Sequence, residues 1–291
     1  MTKHTRNPEA RKAEIAALHQ RMAEQVAQLA TSEGWRSWVE MAGRLHHYSF
    51  RNILLIKSQN RGATRVAGFR AWQEMGRQVR KGEHGIRILG GRRWAKTDTD
   101  EQTGEENTTS GVRFFPCSVF DISQTDPIDG QEEPAQEIQG VDDGQVFARV
   151  AEVLTAKGWT VSREQLPGGL KGETRPEIRV VAVAEGMSDA MAAAIILHEA
   201  AHIELGHTDR AGEEYKAHRG VMEVEAESVA HILGDIAGLD TSSWSIGYVT
   251  GWAGKDPEKT MAQTAEHVIT TAAAMARSYR LEDQDEEEPA A

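Results

Sequence analysis

Residues 195–207 read IILHEAAHIELGH, and the expected fold of the C-terminal half follows from this stretch. His198 and His202 are four residues apart, so on a helix they lie on one face and both imidazoles can reach one ion. Glu199 follows the first histidine directly, which places its carboxylate beside such an ion, within reach of a water in the open coordination position. This HExxH spacing is that of zinc hydrolases, and it predicts a helix that binds Zn²⁺.

The sequence around the motif favours a buried helix over a chance match. Three fixed residues fall at these offsets by accident in a chain of this length with a probability on the order of a few per cent. The run 188–205 is alanine-rich and apolar, and Ser188 is a suitable N-cap. Core histidines beside a buried Glu199 would be costly without a metal or another partner. We therefore interpret His198 and His202 as ligands and Glu199 as the general base.

A third ligand has to come from a downstream segment. The three-histidine zincin pattern needs a glycine three residues and a histidine six residues after the second ligand. Leu205 and Thr208 occupy those positions. His207 is out of register by one residue, so it is predicted to lie at the end of the helix.

The helix predicted at 221–238, VMEVEAESVAHILGDIAG, offers the remaining candidates. Glu225 shares one stripe with apolar residues at 221, 229 and 232, so its carboxylate is predicted to face the core. A carboxylate there needs a partner, and a metal held by the adjacent helix fits that need. Glu225 is therefore predicted to be the third zinc ligand, with Glu227 in reserve because the helix register is inferred. Glu223 is expected to point elsewhere.

Two parts of the chain resemble known families. HEAAHIELGH followed by EVEAESVAHIL resembles the ImmA/IrrE-type zincin domain, in which a ligand glutamate in an E-A-x-x-[aromatic or aliphatic]-A context follows the HExxH helix. Glu225-Ala226 and Val229-Ala230 fit that context. YSFRNILLIKSQNRGATRVAGFRAWQEMGRQVRKGEHGIRIL and VFDISQTD resemble the N-terminal single-stranded-DNA-binding domain of ArdC-type antirestriction proteins. This domain order is that of ArdC, which implies a protein of a plasmid, phage or other mobile genetic element.

The composition places the chain among ordinary globular proteins of the cytoplasm. Its 291 residues predict two domains, and 39% hydrophobic residues suffice for ordinary cores. The single cysteine, Cys117, excludes an internal disulfide and is expected to be a core thiol. The sequence has neither a signal peptide nor a long apolar span, so a reducing cytoplasm and no membrane partner are the expectation.

The net charge of −12 conceals a strong asymmetry. Residues 1–96 carry 19 Lys+Arg and 7 Asp+Glu, whereas the remainder carries 14 and 38. A basic segment inside an acidic protein indicates a polyanionic partner for that segment alone.

Basic and aromatic residues alternate between positions 61 and 94. Cations that follow a phosphate backbone beside aromatic faces that stack bases are typical of sequence-tolerant single-strand binding. Composition alone does not distinguish this interpretation from a solvated basic face over core aromatic residues. The resemblance to ArdC favours binding of single-stranded DNA. The predicted DNA-binding residues are Arg61, Arg65, Phe69, Arg70, Trp72, Arg77, Arg80, Lys81, Arg87 and Trp94.

The periodicity of apolar residues predicts an α+β protein of two domains. Helices are expected at 9–30, 32–45 and 48–59, then a β-hairpin that turns at 81–84 and a mobile polar loop at 97–110. The expected domains are a helical and antiparallel-sheet DNA-binding domain at 1–126, a linker at 127–144, a zincin-like α+β metallopeptidase domain at 145–281 and an acidic tail at 282–291.

These observations predict an antirestriction-type protein that combines single-stranded-DNA binding with a zinc-dependent, gluzincin-like metalloendopeptidase domain acting on a protein substrate. The alternative is a DNA-protecting protein whose zinc domain is structural or catalytically idle. Both would bind zinc and DNA, so peptide-bond cleavage that depends on Glu199 is what separates them.

Overall fold

The computed structural model describes residues 8–99, 106–128, 143–209, 213–241, 244 and 257–281, and these residues form two compact units. Among them, the first unit comprises residues 8–25 and 54–128, and the second comprises 26–53 and the residues from 143 onward. Helices and mainly antiparallel sheets occur together, which confirms the α+β class.

The helices are α1 (Pro8–Gln28), α2 (Ser32–Arg44), α3 (Phe50–Gln59), α4 (Phe69–Glu74), α5 (Asp143–Ala156), α6 (Asp189–Glu204), α7 (Glu213–Ile236) and α8 (Pro257–Ser278). The strands are β1 (Val66–Gly68), β2 (Arg77–Val79), β3 (Ile86–Thr99), β4 (Glu106–Asp121), β5 (Thr125–Pro127), β6 (Thr160–Glu164), β7 (Gly172–Arg175) and β8 (Val180–Ala184). Short 3₁₀ helices cover Ile122–Gln124, Pro167–Gly169, Pro176–Ile178 and His207–Asp209.

A long β-hairpin dominates the first unit. Strands β3 and β4 pair antiparallel from Ile86↔Val119 to Thr99↔Glu106, and β1 pairs with the other edge of β4. The prediction of a mobile loop at 97–110 is therefore wrong on both flanks, which are strand. Threonines at 97, 99, 108 and 109 supply the β-branched side chains that favour an extended backbone. Residues 100–105 lie outside the described part of the chain.

The predicted turn at 81–84 is present, but the strands on either side of it do not form a hairpin with each other. Strand β2 pairs antiparallel with β5, whereas β3 begins after the turn and pairs with β4. Gly82 supplies the positive φ of 94° that the turn requires. The local sequence indicated the turn correctly, but the partner of β2 lies more than forty residues further along the chain.

Asp121 ties the end of β4 to the chain before β1. Its buried carboxylate accepts hydrogen bonds from the backbone N–H groups of Thr64 at 2.9 Å and Arg65 at 3.3 Å. It also accepts from the backbone N–H of Ser123 at 3.0 Å and from the Ser123 hydroxyl at 2.6 Å. Because these donors come from two separate segments, the carboxylate fixes the β1–β4 pairing as well as the following 3₁₀ turn.

The second unit places helices beside a three-stranded sheet of order β6-β8-β7. Strand β8 is central, parallel to β6 and antiparallel to β7. Helix α6 packs on β7 and β8 and against α5 and α7, while α7 also contacts α2 and α8. For this unit the sequence predicts a helix at 146–157 and strands near 159–162 and 178–183. They are present as α5, β6 and β8, whereas β7 was not predicted.

Helix α2 packs in the second unit, although the predicted boundaries put it in the domain at 1–126. Trp35 and Trp38 are fully buried, and the Trp35 indole Nε1–H donates to Ser228 Oγ on α7 at 3.1 Å. At Gly43 a Cβ atom would lie 2.4 Å from Asp235 Oδ2, so only glycine permits this approach to α7. The boundaries at 126, 144 and 281 stay a prediction. The linker 127–144 and the tail 282–291 fall largely or wholly outside the described residues.

Within the part of the chain that the structure describes, no helix is both long and apolar enough to cross a membrane.

The Asp121→Ala variant is expected to destabilise the first unit by about 2–4 kcal/mol, because several hydrogen bonds to a buried carboxylate are lost together. Denaturant unfolding followed by circular dichroism measures the change. Asp126→Ala is the matched control, since the Asp126 side chain is 62% exposed and pairs with Arg80 at 3.2 Å. That variant should change stability by less than about 1 kcal/mol, and equal losses for the two would contradict the role of Asp121.

Candidate metal centre and nucleic-acid surface

Helix α6 presents the HExxH residues as predicted from their spacing. Ser188 caps the helix by accepting a hydrogen bond from Met191 N at 3.3 Å, which confirms the expected start. His198 and His202 lie one turn apart with their Nε2 atoms 3.1 Å apart. The buried face consists largely of alanine and leucine or isoleucine side chains, which sets the helix firmly against its neighbours.

The third group at the histidine pair is Glu223 of α7. Its Oε2 atom lies 3.6 Å from His198 Nε2 and 3.7 Å from His202 Nε2. These three potential ligand atoms all lie within 4.8 Å of one another. Tetrahedral coordination with bonds of about 2.1 Å would place ligand atoms about 3.4 Å apart. The observed separations are on both sides of that value, so the donor set fits a divalent ion.

The charges of the cluster are mutually stabilising. Hydrogen bonding to His198 and then to His202 holds the pKa of the Glu223 carboxyl far below its usual range. Burial alone would lower the pKa of His198, but Glu223 and the charge of Glu199 together raise it above its ordinary value. The carboxylate is therefore anionic at neutral pH, which is the form that binds a metal.

Glu199 lies between α6 and strand β7. Its Oε2 atom accepts a hydrogen bond from Thr174 Oγ1 at 2.7 Å. A Cβ atom at Gly172 would lie 2.8 Å from Glu199 Oε1 and 2.4 Å from the Ile195 side chain, so the strand approaches the carboxylate at a residue without a side chain. Both carboxylate oxygens therefore lie beside strand β7, Oε2 at Thr174 and Oε1 at Gly172.

Glu225 is buried on the apolar face of α7 as predicted, but its neighbours are other histidines. Its Oε2 atom lies 3.0 Å from His207 Nε2 and its Oε1 atom 3.3 Å from His267 Nδ1. The structure does not bring Glu225 to the His198 and His202 pair. A metal ion was predicted to be the partner of the buried Glu225 carboxylate. In the structure its partners are the imidazoles of His207 and His267.

Glu223 was not predicted to lie at the histidine pair, because the prediction looked for a carboxylate on the buried face of α7 and Glu223 is partly exposed. Glu223 and Glu227 are four residues apart and so share the more polar face of α7, and Glu223 was expected to point elsewhere than Glu225. A site that admits a substrate has to lie at the rim of the core. The Glu223 side chain is 38% exposed, compared with 10% for Glu225, and so meets that requirement.

The predicted DNA-binding residues separate into two groups. Trp72 is fully buried and donates from its Nε1–H to Phe120 O at 2.9 Å, so it is a core residue and cannot stack a base. Arg77 is buried with its Nε–H donating to Thr125 Oγ1 at 2.8 Å. Arg80 pairs with Glu83 and Asp126, and Arg87 pairs with Glu14 and Ser118.

Arg80 is exposed despite its ion pairs, and the remaining predicted residues also lie at or near the surface. Phe69 is 44% exposed and Trp94 43% exposed, and Arg61, Arg70 and Lys81 are exposed as well. Arg65 is half-buried and donates from Nη2 to the sulfur of Met75 at 3.6 Å. Packing therefore withdraws part of the predicted basic set from contact with a ligand.

The β3–β4 hairpin carries an exposed aromatic residue on each face. Side chains alternate along paired strands, so the register Arg92↔Arg113 and Trp94↔Gly111 places Trp94 on the same face as the cross-strand pair of Arg92 and Arg113, two residues further along the hairpin. The same alternation places Arg93 and Phe114 on the other face, where Phe114 is 45% exposed. Phe114 was not among the predicted DNA-binding residues, because an apolar run in a sequence does not reveal which side chains meet a core.

A protein family and solved structures of an antirestriction protein are similar to this chain. A comparison with curated proteins gives no match. The metal-free crystal structure of the antirestriction ArdC protein from R388 plasmid shares 20% identity over 80% of this chain and 86% of that chain, with a TM-score of 0.47. The Mn(II)-bound crystal structure of that protein shares 18% identity over 79% and 84%, with a TM-score of 0.45. The family model of the N-terminal domain of the anti-restriction factor ArdC matches residues 13–120. The similarity to this family therefore lies in the N-terminal part of the chain.

Proposed function

We propose that the chain is an antirestriction protein with a divalent-metal-dependent peptidase site formed by His198, His202 and Glu223. The proposal is carried by the three potential ligand atoms that lie within 4.8 Å of one another. Two imidazoles and one carboxylate suit zinc. In catalytic zinc sites three protein ligands usually leave the fourth coordination position open for water or substrate. Mn²⁺ is tested beside Zn²⁺, because the R388 protein has been crystallised with Mn(II).

The roles of the surrounding residues follow from their contacts. A bound divalent ion would supply polarisation of the scissile carbonyl and would acidify the attacking water. Glu199 would accept the proton of that water, and Thr174 holds the carboxylate in place through Oε2. The absence of a side chain at Gly172 lets strand β7 approach Oε1 closely. Glu199 then delivers the proton to the leaving amine.

Single-stranded DNA is the proposed partner of the first unit, and the hairpin is its proposed contact surface. Trp94 rests over Gly111, where an added Cβ would lie 3.1 Å from the indole, so the ring is supported from below and exposed above. In the strand register each exposed ring has an arginine as a near neighbour on its own face: Arg92 precedes Trp94 by two residues, and Arg93 pairs with Val112, which precedes Phe114 by two residues. Stacking on an aromatic ring combined with cations beside it is the arrangement that binds single strands without sequence readout.

For the metal site, Glu223→Gln is expected to weaken Zn²⁺ binding by at least about 100-fold, because one of three protein ligands loses its charge. Calorimetric titration with Zn²⁺, and separately with Mn²⁺, measures the change. Glu227→Gln is the matched control on the same helix and should bind like the wild type. A variant Glu225→Gln that loses binding as completely as Glu223→Gln would restore Glu225 as the third ligand.

For the reaction, Glu199→Gln is expected to bind metal with wild-type affinity and to lose hydrolysis, because a general base contributes to proton transfer and not to coordination. The assay follows cleavage of fluorescein-labelled casein, an unfolded test protein, with and without added single-stranded DNA. Cleavage by the wild type that is unchanged in Glu199→Gln would reject this role. A wild type that binds metal and DNA without cleaving would favour the catalytically idle alternative.

For DNA binding, Trp94→Ala and Phe114→Ala are each expected to lower affinity about tenfold with an unchanged salt slope, because stacking releases no counterions. Arg92→Gln and Arg113→Gln should instead flatten the log-log slope by about 0.7 for each lost phosphate contact. Fluorescence anisotropy of a labelled oligonucleotide at several salt concentrations measures both. Arg36→Gln, which removes an exposed charge paired with Glu40 in the second unit, is the control and should change neither quantity.

A further inference from the structure

His202 uses its two ring nitrogens in different directions. Its Nε2 atom faces the metal site, 3.1 Å from His198 Nε2 and 3.7 Å from Glu223 Oε2. Its Nδ1 atom faces the interior and lies 2.9 Å from Nδ1 of His207. His207 is buried, with 2% of its surface exposed, so water does not compete for this contact.

The contacts of His207 admit one consistent arrangement of protons. A metal-binding Nε2 carries no proton, so neutral His202 is protonated at Nδ1 and donates to His207 Nδ1. His207 then carries its own proton at Nε2 and donates to Glu225 Oε2 at 3.0 Å. The second oxygen of Glu225 lies 3.3 Å from His267 Nδ1 on α8. A continuous chain of hydrogen bonds thus runs from the metal site through His207 to α7 and α8.

The backbone after α6 is shaped to place His207 in this chain. On a continued helix, a residue five positions after His202 would point well away from it, since each residue turns the helix by about 100°. Gly206 ends the helix with a positive φ of 70°, and His207 starts the following 3₁₀ helix. The reversal at Gly206 brings the His207 ring to the inner nitrogen of His202.

We propose that His207, anchored by Glu225, is the positioning residue of the metal site: it fixes the tautomer and the ring orientation of His202. This inference rests on the proposed function only in taking His202 as a ligand. Groups that hold the outer nitrogen of a ligand histidine typically change metal affinity by about 10–100-fold when they are removed. Neither His207 nor Glu225 touches the ion or the substrate in this role.

The first experiment measures Co²⁺ binding by visible absorption, with Zn²⁺ competition, in the full chain. His207→Phe keeps a buried ring but removes the acceptor, and it is expected to weaken binding about 10–100-fold and to alter the absorption bands. Glu225→Gln retains an oxygen acceptor for His207 and should lose less than Glu225→Leu. His231→Phe is the matched control, because His231 is also a buried histidine of the second unit and lies 3.8 Å from Asp235 through its Nε2 atom.

The second experiment reads the tautomers directly in the Zn²⁺-loaded protein by long-range ¹H–¹⁵N correlation of labelled histidines. The expected result is His202 protonated at Nδ1 and His207 protonated at Nε2, and His207 protonated at Nδ1 instead overturns the inference. Wild-type protein that binds neither Co²⁺ nor Zn²⁺ rejects the proposed function and, with it, the positioning role. Wild-type affinity and spectrum in His207→Phe reject the positioning role alone.

Discussion

The packing of the second unit is constrained by its buried and partly buried ionisable groups, each of which needs a partner of opposite charge or a hydrogen-bond partner. Helix α7 carries two carboxylates two residues apart, and they face different histidines: Glu223 faces His198 and His202, whereas Glu225 lies against His207 and His267. An unpartnered buried charge costs several kcal/mol, so the relative placement of α6, α7 and α8 is constrained by charge pairing as well as by apolar contact.

Small side chains make that placement possible. Alanines at 192, 193, 200 and 201 are buried along α6, so the helices on either side approach its backbone closely. Gly172 does the same for β7 at Glu199, and Gly43 does so for α2 at Asp235. A ring such as that of His202 can keep one orientation only if the backbones around it are fixed. The geometry of the site therefore depends on this close packing.

Local patterns in the sequence predicted the parts of the fold and site that depend on near neighbours. The four-residue spacing of His198 and His202, the Ser188 cap and the burial of Glu225 all follow from helix periodicity. The partner of Glu225 could not be predicted in this way, because His267 lies 42 residues away in sequence. The pairing of β2 with β5 and the packing of α2 against α7 are likewise set by contacts between distant segments.

The charge count of the N-terminal part shows the same distinction between composition and packing. The count treats every arginine alike, yet Arg77, Arg80 and Arg87 hold β5, the turn after β2 and α1 respectively through their hydrogen bonds and ion pairs. A cation already paired with a carboxylate attracts a phosphate less, since binding would have to break or share that pair. The attraction for a polyanion is therefore expected to be greatest along the hairpin, where the strand spacing of about 3.4 Å per residue places a cation two residues from an exposed ring on each face. That geometry matches charge to phosphate and ring to base at the same time, which a uniformly basic surface does not do.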